Sequence, residues 1–472
     1  MMHGPTLGRC TGEVERVVAT TLFQEVHFRA RPLPVQTTSR PASSDVIQTP
    51  AWSRREFVGG LALAAGAHFA PAAATPLKRV AAIVTEYVHN SHADVLASRM
   101  IHSHSMDGKG AWPPGQGWPQ LKLASVYVDQ KPERDTSERL AKEHGFLLAS
   151  SIEQALTLGG NSLAVDGVLL IGEHGKYPLS DTGQIMYPRR RFFEETAAVF
   201  RKSGRSVPVF SDKHLAWNWA DAKWMYDTAR ELNVPFMAGS SLPGLWRHPA
   251  VEMKLGARAT EAVALSYGPL EGYGFHGLEA LQCLVERRRG GESGVAAVQF
   301  MQGPEVWDEM RKGRFSQEIL HAAVEARENK ARFKKPFIEQ VKSPAAFFID
   351  YADGFKATMI HDAKDGHNEW IVAWGEAGRK EIPATSFWTQ EARPLGHFAF
   401  LLQGIEKMIY TSRPTWPAER TLLTTGVLAA AFESRRQGGV RLATPHLAIR
   451  YEPTFTWQEP PAPMPGRPLP GM

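Results

Sequence analysis

The pattern of apolar and polar positions changes period along this chain. From residue 79 onward, short apolar runs alternate with stretches of helical spacing. Residues 79–84, 121–128, 165–171, 207–210 and 235–238 read as strands, and 165–171 is strongly apolar. Residues 93–101, 133–144, 152–158, 188–203 and 219–232 read as the helices between them. Such alternation predicts a parallel sheet with helices on both faces. Beyond residue 246 the pattern shifts. Residues 258–267, 295–302, 345–351, 356–361 and 370–374 read as strands, with 278–288 as the long helix among them. Asp353-Gly354 between two of these strands is a hairpin signal. The chain therefore reads as α/β. A parallel-sheet domain spans 76–245, an α+β domain with a mainly antiparallel sheet spans 246–455, and a Pro-rich tail follows at 456–472.

The N-terminal stretch belongs to neither domain. Ser53-Arg54-Arg55-Glu56-Phe57-Val58-Gly59 leads into an apolar run over 58–69 and then Ala72-Ala73-Ala74. A paired arginine, a short apolar segment and a small-residue cleavage site predict a twin-arginine export signal over 53–75, cut after Ala74. Export to the periplasm or the exterior follows as an expectation. The run is too short to anchor in a bilayer, which takes about 20 residues. No second long apolar run exists, so no membrane span is expected in the mature chain. Residues 1–52, with Pro5, Pro32, Pro34, Pro41 and Pro50, read as a disordered extension or an early start.

Composition narrows the partners. A hydrophobic fraction of 43% and a charged fraction of 22% suit a globular protein. A net charge of +5, with basic and acidic residues interspersed, argues against nucleic acid. The basic runs Arg189-Arg190-Arg191 and Arg287-Arg288-Arg289 flank helical patterns and read as solvated or capping groups. Of the two cysteines, Cys10 leaves with the signal, and Cys283 sits in an apolar helical context as a buried small residue.

Ligands of parallel sheets bind at the carboxyl ends of the strands. Those ends are rich in titratable groups here. Thr85, Glu86, His89 and His92 follow the first strand, and Asp129 follows the second. Glu173, His174 and Lys176 follow 165–171, while Asp212, Lys213 and His214 follow 207–210. Their common position predicts one cleft.

At these residues the chain resembles the glucose–fructose oxidoreductase, inositol dehydrogenase and rhizopine-catabolism (Gfo/Idh/MocA) family, over about residues 79 to 445. His92 takes the place of a family histidine, Asp129 that of a ribose-binding acid, and Asp212-Lys213-His214 that of Glu-Lys-Pro. Gly274, His276 and Glu279 match a helix-entry motif, with Gly272 replacing its first acid. The stretch from Glu419 to Leu442 resembles the family's last helix and strand. The resemblance implies a Rossmann-like doubly wound first domain. It also implies a sugar or polyol substrate, and a second sheet that lines the cleft and mediates a homo-oligomer. It gives Lys213, His276 and Glu279 as catalytic residues, and Thr85, His92, Asp129, Glu173 and Lys213 as contacts to NAD. The implied function is an exported oxidoreductase acting on a sugar or polyol hydroxyl. His276 would exchange the proton, since an imidazole titrates in the right range, and Lys213 would hold the oxygen.

One departure bears on the cofactor. The Gly-x-Gly-x-x-Gly turn would fall on Val84, Glu86 and His89, so all three glycines are absent. Either the dinucleotide sits differently, or the fold is a shell that has lost it. Two alternatives follow. Glu86, His89 and His92, spaced by three, together with His174 could bind a divalent metal on a sugar hydrolase, lyase or isomerase. Alternatively, Trp217, Trp219, Trp224 and Trp246 could stack on sugars in a non-catalytic binding protein.

Overall fold

A computed structural model describes residues 77–102, 119–327, 335–362, 369–390 and 395–461. The export signal lies outside them. The described residues all fall in one unit, Ala74–Met472. The first half runs β1 (Lys78–Val84), α1 (His92–His102), β2 (Leu121–Val128), α2 (Ser137–His144), β3 (Leu147–Ala149) and α3 (Ile152–Thr157). It continues β4 (Gly167–Ile171), α4 (Arg189–Ser203), β5 (Val209–Asp212), α5 (Trp219–Glu231) and β6 (Phe236–Gly239). The strands form a parallel sheet in the order β3-β2-β1-β4-β5-β6. Strand order therefore reverses between β1 and β4, which opens the ligand crevice of such sheets at the ends of these two strands. Val80 to Val84 are fully buried because β1 is central and covered on both faces. β3 escapes the sequence reading because three residues carry no period.

The second half runs β7 (Trp246–His248), β8 (Ala259–Tyr267), α6 (Leu270–Val285), β9 (Val295–Gln302), α7 (Glu305–Arg311), α8 (Gln317–Glu325) and α9 (Phe337–Gln340). Then come β10 (Ala345–Tyr351), β11 (Lys356–Asp362), β12 (Trp370–Glu376), β13 (Ala384–Trp388), α10 (His397–Thr411), α11 (Ala418–Arg436) and β14 (Leu442–Ala443). Its sheet order is β14-β9-β10-β11-β8-β12-β13-β7, antiparallel except for the β8–β11 pair. Residues of α6 and α11, including Phe275, Leu281, Leu423 and Phe432, share a core with one face. The other face is covered by the chain's own α7, α8 and α9 through Trp307, Ile319 and Phe337.

Three sequence expectations are corrected here. Helix α6 starts at Leu270, not near 278, so Gly272, Gly274 and Gly277 lie inside it. A Cβ at Gly277 would come within 2.5 Å of the Met359 sulfur, so this glycine permits close helix–sheet approach and does not end the helix. The boundary at 246 is crossed, because α10 returns to pack Leu401, Leu402 and Met408 in one core with β1 and α1. The described start of the tail, residues 456–461, is held by hydrogen bonds. Trp457 donates to the Leu245 carbonyl at 2.8 Å, Trp246 donates to the Pro461 carbonyl at 2.8 Å, and the Phe455 ring lies 5.6 Å from that of Trp416.

Candidate active site

The site is built at the ends of β4 and β5, facing α6. Lys213 follows β5 in a left-handed conformation, φ +55°, with its N–H on the Gly239 carbonyl at 2.9 Å. Its Nζ donates to Glu173 Oε1 at 2.8 Å, and Glu173 Oε2 accepts from Arg189 Nη2 at 2.9 Å. Arg189 Nη1 lies 3.1 Å from His214 Nε2, which lies 3.3 Å from Glu271 Oε1 on α6. Glu271 Oε2 accepts from the Ile185 N–H at 2.8 Å. A run of close polar groups from Lys213 to Glu271 thus reaches from the first sheet to α6. Gly172 makes room for it, since a Cβ there would lie 2.6 Å from Arg189 Cγ.

Imidazoles line the same place. His92 opens α1, and its Nδ1 donates to Asp212 Oδ2 at 2.7 Å. Its ring stands 4.8 Å from Phe398 and 5.7 Å from His174. His276 is buried on α6, 5.2 Å from the Trp370 ring. Burial drives the His276 pKa well below the usual histidine value, and the charges of Lys213 and His92 push it the same way. Lys213 and His276 therefore lie within each other's field. His174, by contrast, is exposed and does not share this burial. Burial opposes ionisation of Glu173, but Lys213 and Arg189 outweigh it and hold this carboxyl well below the usual range. The result is a neutral His276 beside the Lys213–Glu173–Arg189 ion-pair group. Asp212 Oδ1, His214 Nδ1 and His276 Nδ1 are buried without a hydrogen-bond partner among the described residues. Orphaned buried polar atoms are costly and rare in a finished core. His174, at φ +70°, shares the left-handed backbone of Lys213, and such strain gathers at functional sites.

The residues around the crevice do not fit a dinucleotide in the pose the resemblance implies. Thr85 Oγ1 accepts from the Glu173 N–H at 3.1 Å and also donates to the Glu173 carbonyl. Tyr87 is buried, hydrogen-bonded to Ser98 at 2.8 Å, and its carbonyl accepts from Thr136 N–H at 2.9 Å. At the start of α1, Asp94 Oδ2 accepts from the Asn90 N–H at 2.9 Å. Two buried carboxylates, Glu86 and Asp94, thus stand where a pyrophosphate needs bare N–H groups. Asp129 Oδ1 accepts from Tyr127 at 2.9 Å and from Arg191, and Oδ2 accepts from Tyr177 at 2.7 Å. Glu173 and Lys213 bind each other, and His92 binds Asp212. Every residue expected to touch a cofactor is engaged within the chain.

Other expectations are also revised. Glu279 is fully buried. Its Oε2 accepts from Ser240 N and Oγ, both at 2.6 Å, and its Oε1 from Thr421 at 3.2 Å. It therefore fastens the end of β6 to α6 and α11. The metal alternative fails on position. Glu86 faces Arg134 at 3.8 Å, His89 is exposed near Asp94, and His92 is held by Asp212. Among the described residues, no group of three His, Cys, Asp or Glu could hold a metal ion. Trp246 packs against Trp388 and Phe400, and Trp224 lies under Arg190, so neither offers a face to a sugar. Cys283 is buried, as expected, and burial raises its thiol to about 12.

The basic runs are solvated only in part, with Arg191 and Arg289 exposed. Arg189 is 1% exposed, and Arg288 is buried against Glu292 and Asp353. A signal for Arg189 existed, since it falls in the buried stripe of α4 with Phe192, Phe193, Thr196 and Phe200. Glu271, Trp370, His397 and Phe398 were also missed. The last two open α10, far along the chain from the strand ends.

No family model matches the chain, and no curated protein matches it in sequence. Solved structures match in fold, and they include dehydrogenases of the Gfo/Idh/MocA type. GenD2 from gentamicin A biosynthesis, in complex with NAD, is 13% identical with a TM-score of 0.50, covering 78% of this chain and 97% of that one. The scyllo-inositol dehydrogenase of Lactobacillus casei is 10% identical with a TM-score of 0.47, over 78% and 98%. The aldose–aldose oxidoreductase of Caulobacter crescentus, complexed with glycerol, is 15% identical with a TM-score of 0.44, over 78% and 99%. The α/β architecture, a Rossmann-like sheet followed by a mainly antiparallel one, is the shared feature.

Proposed function

We propose that this chain is an exported enzyme that handles the proton of a sugar or polyol hydroxyl, or of its keto form, in the cleft where β5 faces α6. The supporting observation is the set of buried, unpartnered atoms on Asp212, His214 and His276 beside the strained Lys213. An imidazole kept neutral by burial can accept a proton at pH 7, and a buried ammonium can hold the oxygen on which charge develops. His276 takes the first role and Lys213 the second. Export rests on Arg54-Arg55 and the run that follows them.

A second reading is oxidation of the same hydroxyl by a nicotinamide dinucleotide. It is favoured by the strand order and by the likeness in fold to GenD2, whose structure is described as a complex with NAD. The crevice residues do not accommodate that group in its usual pose, so the proposal is confined to proton and oxygen. Turnover of a panel of sugars, polyols and keto sugars tests it. His276→Ala should lose a factor of about 100 to 10,000 in rate with its melting temperature kept. A folded His276→Ala variant with full turnover overturns the reading.

A further inference from the structure

The segment between β4 and α4, residues 172–188, accounts for the engaged crevice. It runs past the carboxyl ends of β1 and β2. Glu173 meets Thr85 after β1. Lys176 exchanges hydrogen bonds with the Gln130 side chain, at 2.9 and 3.1 Å, and Tyr177 binds Asp129 after β2. Leu179 bridges to Ile185, folding the segment back on itself, and Ile185 ends on Glu271 of α6. Gly175, at φ +92°, permits the crossing, since a Cβ there would lie 2.8 Å from the Tyr177 ring. Arg191, at the start of α4, closes the row on Asp129.

We propose that residues 172–188 are a built-in occupant of the dinucleotide groove, and that the cleft carries out a redox-neutral proton shift on a keto or aldehyde sugar without a dissociable dinucleotide. This rests on the proton-handling reading above. A dinucleotide would have to displace the Tyr177–Asp129 and Gln130–Lys176 contacts. It would also have to set its phosphates against Glu86 and Asp94, where like charges repel. The residue expected at the cofactor is recruited for something else. Asp212, 1% exposed, fixes the Nδ1 of His92 and leaves Nε2 as the ring nitrogen for substrate. With His276, the cleft then holds two imidazoles able to accept a proton, beside the Lys213 ammonium that can give one.

The step needs no external oxidant. A base takes the proton from the carbon next to the carbonyl. That C–H electron pair becomes the double bond of an enediol, and the carbonyl oxygen gains a proton from the Lys213 ammonium that holds it. The base then returns its proton to the former carbonyl carbon, while the neighbouring hydroxyl gives its own proton back to the Lys213 amine. The carbonyl has moved by one carbon, and nothing has been added or removed.

Hydrogen–deuterium exchange of the full chain, with and without NAD at about 1 mM, tests the occupant. Amides of 174–187 should be protected and indifferent to NAD, and a fluorescence titration with NADH should stay flat. Turnover of the dialysed protein should not change on adding NAD. Saturable NADH binding below about 100 μM, NAD-dependent opening of 174–187, or turnover that requires NAD would each overturn the inference. Tyr177→Phe with Gln130→Ala should speed exchange in 174–187. Unchanged protection in that variant would show that these contacts do not hold the segment, and would overturn its role as occupant. None of these outcomes touches the proton reading, which fails separately if the folded His276→Ala variant keeps its turnover.

Discussion

At the scale of residues, two buried titratable groups make opposite demands on pH. Glu279 is pushed by burial from 4.5 up to about 7, even with Ser240 donating to it. Its folded pKa is raised, so the stability tied to it is present below the unfolded value and is lost as pH rises from about 4.5 through 7. The loss is roughly 3 kcal/mol. Denaturant unfolding between pH 4.5 and 8 should show this fall, and Glu279→Gln should flatten it. A wild type whose stability is level over that window contradicts the assignment. His276 is depressed instead. The acid limb of turnover should therefore lie below the usual histidine range, near 6.5. A limb at or above that value would show that another group sets the protonation state. Lys213 stood out in the sequence because it carries chemistry at a strand end, and His276 through the resemblance of Gly274, His276 and Glu279 to a family motif. Arg189 did not, because a run of three arginines looks solvated, although only its first member falls on the buried stripe of α4.

Helices and strands were legible where burial enforces a clean period. The bounds 121–128, 295–302 and 345–351 coincide with β2, β9 and β10, all flanked by neighbours that fix their register. Segment 172–188 was not legible as structure, because it has no period and is held by side-chain bonds to Thr85, Asp129 and Gln130. The pattern predicts α6 only from 278 because Gly272, Gly274 and Gly277 interrupt its apolar period, whereas Gly277 is required by contact with Met359. The pairing of α6 with α11 adds a buried ion pair, Glu286 with Arg420, each 1% exposed, with Tyr451 donating to Glu286 at 2.8 Å. Removing one partner strands the other charge in the core. Arg420→Met should therefore cost about 3–5 kcal/mol, and Arg420→Met with Glu286→Leu should recover much of it. Equal losses in the single and double variants, measured by urea unfolding, would show that packing around Arg420 matters more than its charge.

For the whole molecule, the two sheets are fastened as one piece. Helix α10 returns to the first sheet, and the stretch through Tyr451, Phe455 and Trp457 ties the second half to Leu245 and Trp416. Return of a late element cannot be read from local periodicity, which is why the boundary at 246 looked sharper than it is. The whole chain also carries the export proposal. Arg54→Lys with Arg55→Lys should retain the protein in the cytoplasm, as fractionation would show, and unchanged export would remove that assignment. The central claim, that His276 moves a proton on a carbon framework held by Lys213, is tested most directly by solvent isotope. Wild-type protein and His276→Ala are incubated with keto sugars in deuterium oxide, without dinucleotide, and the sugars are followed by NMR. The account expects deuterium on the carbon next to the carbonyl with wild type, and uptake slowed about 100-fold or more in the folded variant. Uptake that is equal in the two proteins, or absent from a wild type that turns these sugars over, would contradict it.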